Sequence, residues 1–215
     1  WLASQHPKQE RKPVVIAGSG PAGMVTALEL ARHGVPSVVV TSELQFSQGS
    51  RAIVFTRRSM EILQQVGVAD RMTEGGLPWL YGNSYYRGQR VFRMESVQDP
   101  DDRFYPMINV QQQYMEEYLH DACKANPLID FRWGNKVAAV TQQDGYVDIT
   151  IDTPEGEYQL EADWLVDATG GRSSIRDNMG LWMEGSSYEG FFVIADIKID
   201  LPLPTERLAF FDPEW

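Results

Sequence analysis

The chain lacks the residues on which several classes of protein depend. Cys123 is the only cysteine among 215 residues, which excludes an intrachain disulfide and a zinc site built from cysteines. Positive charge is scarce as well, because 19 lysines and arginines stand against 30 aspartates and glutamates, for a formal net charge of −11. A field of that sign repels nucleic acid and anionic membrane surfaces. The composition therefore favours a soluble protein that acts on a small molecule.

Long apolar runs are missing too. The sequence contains no stretch of about 18 apolar residues that could span a membrane. The opening WLASQHPKQERKP also lacks the apolar segment of a secretory signal peptide, so residues 1–12 are interpreted as a leader. With a single cysteine, a reducing, cytoplasmic location is expected. Because the chain starts at Trp1 and stops at FFDPEW, directly after an aromatic-rich segment, we expect an N-terminal portion of a longer protein.

The stretch VVIAGSGPAGMVTALELARHG predicts a dinucleotide-binding turn. A β-branched run precedes three glycines, and apolar residues at helical spacing follow them. Gly18 permits the sharp turn, Gly20 lets the backbone approach a pyrophosphate, and Gly23 lets the helix pack closely on the strand. Pro21 and Ala22 begin that helix, whose amides and dipole attract phosphate. The β-branched segment SVVVT then completes a βαβ unit.

A ribose-binding side chain is expected at the end of the second strand, where dinucleotide folds place a carboxylate. Thr41 occupies this position, and Glu43 follows it closely. Either Glu43 reaches back to the ribose hydroxyls, or Thr41 and Ser42 make weaker neutral hydrogen bonds to them. The alternative interpretation of Glu43 is a solvated acid in a loop. The sequence leaves these possibilities open.

The remaining pattern predicts a Rossmann-like α/β fold with a parallel sheet and an antiparallel meander. A helix is expected over 57–66 and a hairpin over 79–94, with its turn at Arg87-Gly88. Asn109 is expected to cap a helix that ends at an Asn-Pro pair. The segments KVAAVTQ, YVDITID and EYQLEAD alternate as a meander, and WLVDAT returns to the parallel sheet. A short helix follows, and FFVIADIKID and RLAFF predict further strands.

Four motifs occur in the order and spacing of a known enzyme family. They are VVIAGSGPAG, GSRAIVFTRRSMEILQQVGV, INVQQQYMEEYL and DATGGRSSIR. Together they resemble the FAD-dependent aromatic hydroxylases, a group that includes para-hydroxybenzoate hydroxylase, phenol hydroxylase and, as the most similar, 3-(3-hydroxyphenyl)propionate hydroxylase. The resemblance covers nearly the whole chain from residue 13 onward. It implies FAD as the cofactor, NADPH or NADH as co-substrate, and an aromatic substrate that is hydroxylated with molecular oxygen.

The resemblance also implies contacts with FAD outside the glycine turn. Arg51 matches an arginine that contacts the cofactor, and its forked cation suits the pyrophosphate or the ribityl chain. Gln112 matches a glutamine that binds the ribityl hydroxyls, and Val137 matches a position whose backbone meets the adenine. Without the resemblance, Arg51 is interpreted as an exposed loop residue and Gln112 as part of a polar helix start.

The DATG tetrad departs from the family pattern. The matching motif carries an aspartate that contacts the ribityl region of the flavin, and here Thr169 stands in its place, followed by Gly170. A single neutral hydrogen bond donated by Thr169 is weaker than one that a carboxylate accepts, so weaker retention of FAD is expected. DATG also resembles flavin-dependent reductases and halogenases, which are an alternative function. A non-catalytic remnant with a decayed nucleotide site is a third possibility.

The same pattern predicts how the chain is divided. Residues 13–75 and 106–182 are expected to form the FAD-binding domain, and residues 76–105 and 183–215 part of a second, mostly β substrate domain. A homodimer is compatible with the sequence, and no catalytic residue or metal ligand is assigned. Seven aromatic residues of the second domain are expected to fill its core or to line an apolar pocket: Tyr85, Tyr86, Phe92, Phe191, Phe192, Phe210 and Phe211.

Overall fold

The computed structural model describes residues 11–46, 52–191, 193–195, 197, 198, 200 and 202–212. Contacts within the chain define two units. The first unit combines Trp1–Ser47 with Glu116–Phe191, and the second combines Gln48–Met115 with Phe192–Trp215.

The elements are numbered in chain order. The strands are β1 (Lys12–Ala17), β2 (Ser37–Val40), β3 (Val54–Thr56), β4 (Leu77–Trp79), β5 (Tyr81–Tyr86), β6 (Gln89–Glu95), β7 (Met107–Asn109), β8 (Ile129–Arg132), β9 (Lys136–Gln143), β10 (Tyr146–Thr153), β11 (Gly156–Asp167) and β12 (Arg207–Phe211). The helices are α1 (Pro21–Arg32), α2 (Arg57–Gln65), α3 (Ala69–Gly75), α4 (Gln112–Ala125) and α5 (Ser174–Asn178).

The first unit is built around a six-stranded sheet with the order β8-β2-β1-β11-β10-β9. Neighbouring strands from β8 to β11 are parallel, and those from β11 to β9 are antiparallel. All four residues of β2 and the last four of β1 are buried, as expected of parallel strands in an α/β fold. Helix α1 packs against both strands and buries Met24, Ala27 and Leu28. The predicted α/β class with a parallel sheet is confirmed.

Strand β11 belongs to both halves of the sheet. Residues Gly156 to Ala162 pair antiparallel with β10, and residues Trp164 to Asp167 pair parallel with β1. The sequence predicts two strands here, EYQLEAD and WLVDAT, whereas the structure has one continuous strand of 12 residues. No glycine or proline interrupts the segment after Gly156, so nothing in the backbone chemistry breaks it. The strand carries the chain directly from the meander to the glycine turn.

The second unit contains two three-stranded sheets, with the orders β12-β5-β6 and β3-β7-β4. Strands β5 and β6 form the predicted hairpin. Its turn residues Arg87 and Gly88 have φ of 45° and 75°, the left-handed pair that a two-residue hairpin loop requires. The predicted RLAFF strand is β12, and it pairs parallel with β5, which lies much earlier in the chain.

The aromatic residues of the β12-β5-β6 sheet do not fill a core. Tyr85 and Phe210 stack with their ring centroids 5.0 Å apart. The side chains of Tyr86, Phe92, Phe210 and Phe211 nevertheless remain 47 to 60 % exposed, and Phe191 is fully exposed. The core alternative is therefore wrong for these five exposed residues, whereas Tyr85 is half-buried. Phe192 lies outside the described residues.

Two further predictions about local structure are wrong. Asn109 does not cap α4, because the pairing of β7 with β3 and β4 takes it into a sheet. Its Oδ1 accepts a hydrogen bond from Trp79 Nε1 at 2.7 Å. The second error concerns FFVIADIKID, whose described residues form no strand. Val193 is 94 % exposed, and β-branched density favours a strand only where a sheet edge is available for pairing.

Cys123 lies inside the first unit, where α4 meets α1. Its side chain is buried, and Sγ donates a weak hydrogen bond to the carbonyl oxygen of Met24 at 3.8 Å. Burial raises the pKa of the Cys123 thiol to about 12. The thiol is therefore neutral at physiological pH and behaves as a small apolar side chain.

We expect Cys123 to resist thiol reagents in the folded protein. Because the thiolate is the reacting species, labelling at pH 8 should be at least about a hundredfold slower than in denaturant. The measurement is the rate of reaction with an aromatic disulfide reagent, with glutathione as the exposed-thiol control. Equal rates in the folded and unfolded protein would show that this part of the core is open.

Candidate cofactor site

The glycine turn joins β1 to α1 and lies against the end of β11. Gly18 has φ of +110°, and a Cβ there would lie 2.3 Å from the carbonyl oxygen of Ala168. A Cβ on Gly23 would lie 2.0 Å from the carbonyl oxygen of Gly18. No side chain can occupy either position without moving the backbone. The fold itself therefore requires these two glycines.

Gly20 is in a different situation. Its φ of −69° and ψ of 176° are accessible to any residue. No heavy atom lies within 4 Å of the place that its Cβ would take. The packing of the protein thus gives no reason for a glycine here. Open space beside the backbone is what a ligand needs in order to lie against the turn.

Helix α1 begins at this open space. Gly20 is the N-cap, Pro21 is at the start of the helix and Ala22 follows, and no side chain accepts a hydrogen bond as a cap. The first turn also contains no acidic residue. The first amides of a helix have no acceptor within the helix, and they carry the positive end of its dipole. This end of α1 can therefore receive an anionic group.

Thr41 and Glu43 lie beside the turn, as the sequence predicts from the βαβ unit. The backbone amide of Gly18 donates to the carbonyl oxygen of Val40 at 2.8 Å. Thr41 is buried, and its Oγ1 accepts hydrogen bonds from Ser19 Oγ at 2.9 Å and from the Glu43 amide at 3.2 Å. Glu43 itself is exposed. Thr41 thus ties the end of β2 to the turn, while the Glu43 carboxylate remains accessible to solvent.

The start of β9 is held next to the same two residues. The Asn135 amide donates to the carbonyl oxygen of Thr41 at 2.7 Å, and the Gly134 amide donates to that of Glu43 at 2.9 Å. Val137 follows two residues after Asn135 and is buried in the sheet. The structure therefore brings the predicted adenine position close to the predicted ribose residues.

Asp167, which the sequence analysis missed, organises the loop after β11. Its Oδ1 accepts hydrogen bonds from the Thr169 amide at 3.0 Å and from the Thr169 hydroxyl at 2.6 Å. Its Oδ2 accepts one from the Ser173 hydroxyl. Ser173 Oγ in turn caps α5 by accepting from the Arg176 amide at 3.0 Å. Gly170, with φ of +88°, turns the chain between these anchors.

The charge on Asp167 is stabilised by its surroundings. Asp167 is exposed, and the partial loss of solvent around its carboxyl would by itself raise the pKa, but hydrogen bonds from Ser173 and Thr169 and the positive charge of Arg176 lower the pKa below its usual value. Asp167 is therefore ionised at neutral pH. One signal could have identified it from the sequence, because it is the only acidic residue in the motif DATGGRSSIR.

The geometry of the first unit does not test two of the predicted ligands. Arg51 lies outside the described residues. Gln112 begins α4, and its backbone amide donates to the carbonyl oxygen of Ala52 at 3.0 Å, within the second unit. Contacts of Arg51 and Gln112 with a cofactor stay predictions.

Within the described ranges, no helix has the length and apolar character needed to span a membrane. The part of the chain that the structure describes also contains no group of three or more His, Cys, Asp or Glu residues placed to hold a metal ion.

Known proteins resemble this chain over most of its length. The family described as "FAD binding domain" matches residues 11–211. Para-nitrophenol 4-monooxygenase of Pseudomonas sp. (strain WBC-3) is 28% identical over 196 residues, which cover 88% of this chain and 48% of that protein. The 3-(3-hydroxy-phenyl)propionate/3-hydroxycinnamic acid hydroxylase 2 of Burkholderia vietnamiensis (strain G4 / LMG 22486) is 27% identical over 191 residues, which cover 88% of this chain and 35% of that protein.

A solved structure agrees with the sequence matches. The flavin-dependent monooxygenase PieE, in complex with FAD and substrate, is similar with a TM-score of 0.74 and 28% identity, covering 83% of this chain and 33% of that one. The chain spans less than half the length of each of these three proteins. The resemblance to FAD-dependent aromatic hydroxylases that four sequence motifs predict is confirmed. Since the family match includes the glycine turn, the sheet and the loop after β11, the chain belongs to the FAD binding domain family.

Proposed function

We propose that this chain is the FAD-binding portion of a monooxygenase that hydroxylates a phenolic or other aromatic substrate. The open space at Gly20 supports the proposal most directly, because it is a cradle that a Cβ would fill and that the fold does not itself require. The names of the two relatives point to phenols, para-nitrophenol in one and a hydroxyphenyl propionate in the other. We extend that substrate class to this protein.

The residues around the glycine turn fit an extended dinucleotide. The pyrophosphate would lie against Gly20 and the start of α1, where no acidic side chain opposes it. The adenosine ribose would lie near Thr41 and Glu43, and the adenine near the backbone of Val137. Bound FAD supplies the redox chemistry of the reaction. The protein's own contribution is to bind, to orient and to exclude water.

Further features belong to the same proposal. Arg51, Gln112 and the loop of Thr169 and Gly170 would hold the pyrophosphate and the ribityl chain. NADPH or NADH would be the reductant, and molecular oxygen the second substrate. The proposal includes the domain boundaries: residues 13–75 and 106–182 would bind FAD, and residues 76–105 and 183–215 would belong to the substrate domain. It also includes a cytoplasmic location and a homodimer.

Gly20 and Gly23 provide a matched pair of substitutions. Gly23→Ala places a Cβ 2.0 Å from a backbone oxygen, and we expect it to lower the free energy of unfolding of the apoprotein by at least about 3 kcal/mol. Gly20→Ala should cost the apoprotein less than about 1 kcal/mol, because its backbone conformation suits alanine. Gly20→Ala should also weaken FAD binding at least about tenfold, because the added Cβ fills the space that the pyrophosphate needs. Denaturant titration and flavin fluorescence quenching measure the two effects.

The control for this pair is Gly34→Ala in the full-length protein. Gly34 has φ of +73° with no heavy atom within 4 Å of a Cβ position, and it lies at the far end of α1. The substitution should therefore lower the stability of the protein without changing the affinity for FAD. Unchanged affinity in Gly20→Ala would contradict the assignment of the pyrophosphate to this turn.

The reaction is tested in the full-length protein. Purified with FAD, it should oxidise NADPH or NADH faster when a phenol such as para-nitrophenol is added, and mass spectrometry should detect a product that has gained one oxygen atom. NAD(P)H oxidation without oxygen transfer to the phenol would favour a reductase. Halide-dependent substitution of the aromatic ring would favour a halogenase. A protein that binds no FAD would support the non-catalytic alternative.

A further inference from the structure

We propose that Asp167 is a positioning residue of the FAD site and that the Thr169 side chain acts through Asp167 instead of donating a hydrogen bond to the cofactor. The inference rests on the proposed function, since it concerns the same cofactor. It changes the interpretation of DATG. The carboxylate of this motif, on Asp167, lies two residues before Thr169, and it shapes the loop instead of contacting the ligand.

The hydroxyl of Thr169 is already committed. A threonine hydroxyl carries a single proton, and the 2.6 Å distance from Thr169 Oγ1 to Asp167 Oδ1 is that of a strong bond to a charged acceptor. The backbone amide of Thr169 donates to the same oxygen at 3.0 Å. Thr169 therefore has no side-chain proton left for a ribityl hydroxyl or a phosphate. The hydrogen bond to Asp167 instead fixes the position of Thr169 in the loop.

The carboxylate closes the loop from both ends. One oxygen of Asp167 holds Thr169, and the other accepts from the hydroxyl of Ser173. Arg176 adds a third anchor, because its Nη1 donates to the carbonyl oxygen of Gly171 at 3.0 Å. The residues between Thr169 and Ser173 are thus fixed without using their own side chains.

The clamped loop presents an open backbone. Gly170 and Gly171 have no heavy atom within 4 Å of a Cβ position. The loop is also tied to the glycine turn, since the Ala168 amide donates to the carbonyl oxygen of Ala17 at 2.8 Å and Ala168 leaves no room for a side chain on Gly18. Because this loop is already ordered and accessible, cofactor binding loses less conformational entropy when the loop contacts the ligand. Asp167 provides that order.

A double-mutant cycle on FAD affinity tests the proposal in the full-length protein. Asp167→Ala should raise the Kd for FAD about tenfold or more, as expected for losing several hydrogen bonds to one charged group. Thr169→Val removes the hydroxyl and keeps the shape, and it should raise the Kd about threefold in the wild type. In the Asp167→Ala background the same change should have no effect, because its partner is already gone.

A conservative variant separates positioning from a general loss of structure. Asp167→Asn keeps an oxygen that can accept from Thr169, so it should recover part of the lost affinity and restore the sensitivity to Thr169→Val. The matched control is Asp152→Asn on β10, an exposed carboxylate in the same sheet, which should leave the Kd unchanged. Melting temperatures of the apoproteins, measured in parallel, identify any variant that is unfolded.

The outcomes distinguish the two proposals. If Thr169→Val weakens FAD binding equally in the wild-type and Asp167→Ala backgrounds, Thr169 binds the cofactor directly and the inference is wrong. If Asp167→Ala folds and binds FAD like the wild type, Asp167 has no positioning role. If Asp167→Ala does not fold, the Asp167→Asn cycle decides alone. Failure of the wild-type protein to bind FAD would instead overturn the proposed function.

Discussion

The close approach of the glycine turn to the end of β11 is the constraint on which the candidate site depends. Because Gly18 and Gly23 have no side chains, the turn packs within backbone contact of Ala168 and helix α1 packs within contact of the turn. Two backbone hydrogen bonds of 2.8 Å, from Gly18 to Val40 and from Ala168 to Ala17, link the ends of β2, β1 and β11. The N-terminus of α1, the predicted ribose residues Thr41 and Glu43, and the loop after β11 are thereby held together at the C-terminal ends of the parallel strands.

Electrostatics at this edge differ from those of the whole molecule. The chain has a net charge of −11, yet FAD is an anion. The first turn of α1 contains no acidic residue, and helix amides offer partial positive charge there. The one carboxylate in the loop, Asp167, is occupied by hydrogen bonds and lies near the charge of Arg176. Local arrangement therefore matters more than net charge, because solvent and salt screen distant charges within about 10 Å.

Local features of the fold could be predicted because their causes lie within a few residues. The βαβ unit and the Arg87-Gly88 hairpin follow from turn chemistry and short-range periodicity. Features that depend on a distant partner could not. Asn109 enters a sheet because β3 and β4 lie beside it, and FFVIADIKID has strand composition without forming a strand in its described residues. Tyr85 on β5 stacks on Phe210 of β12, and the Phe210 ring still remains exposed.

The amino-acid sequence by itself determined the family, the glycine turn, the βαβ unit and the Arg87-Gly88 hairpin, since each depends on residue types at short spacing. Only the tertiary structure decided which glycine is open to a ligand and which are enclosed, because that difference between Gly20 and its neighbours is a matter of contacts with Ala168 and Gly18. It also decided that the Thr169 hydroxyl is bound to Asp167. The spacing of residues along a chain shows which groups could bind a ligand. Only hydrogen bonds and packing show which of those groups already bind to other parts of the protein.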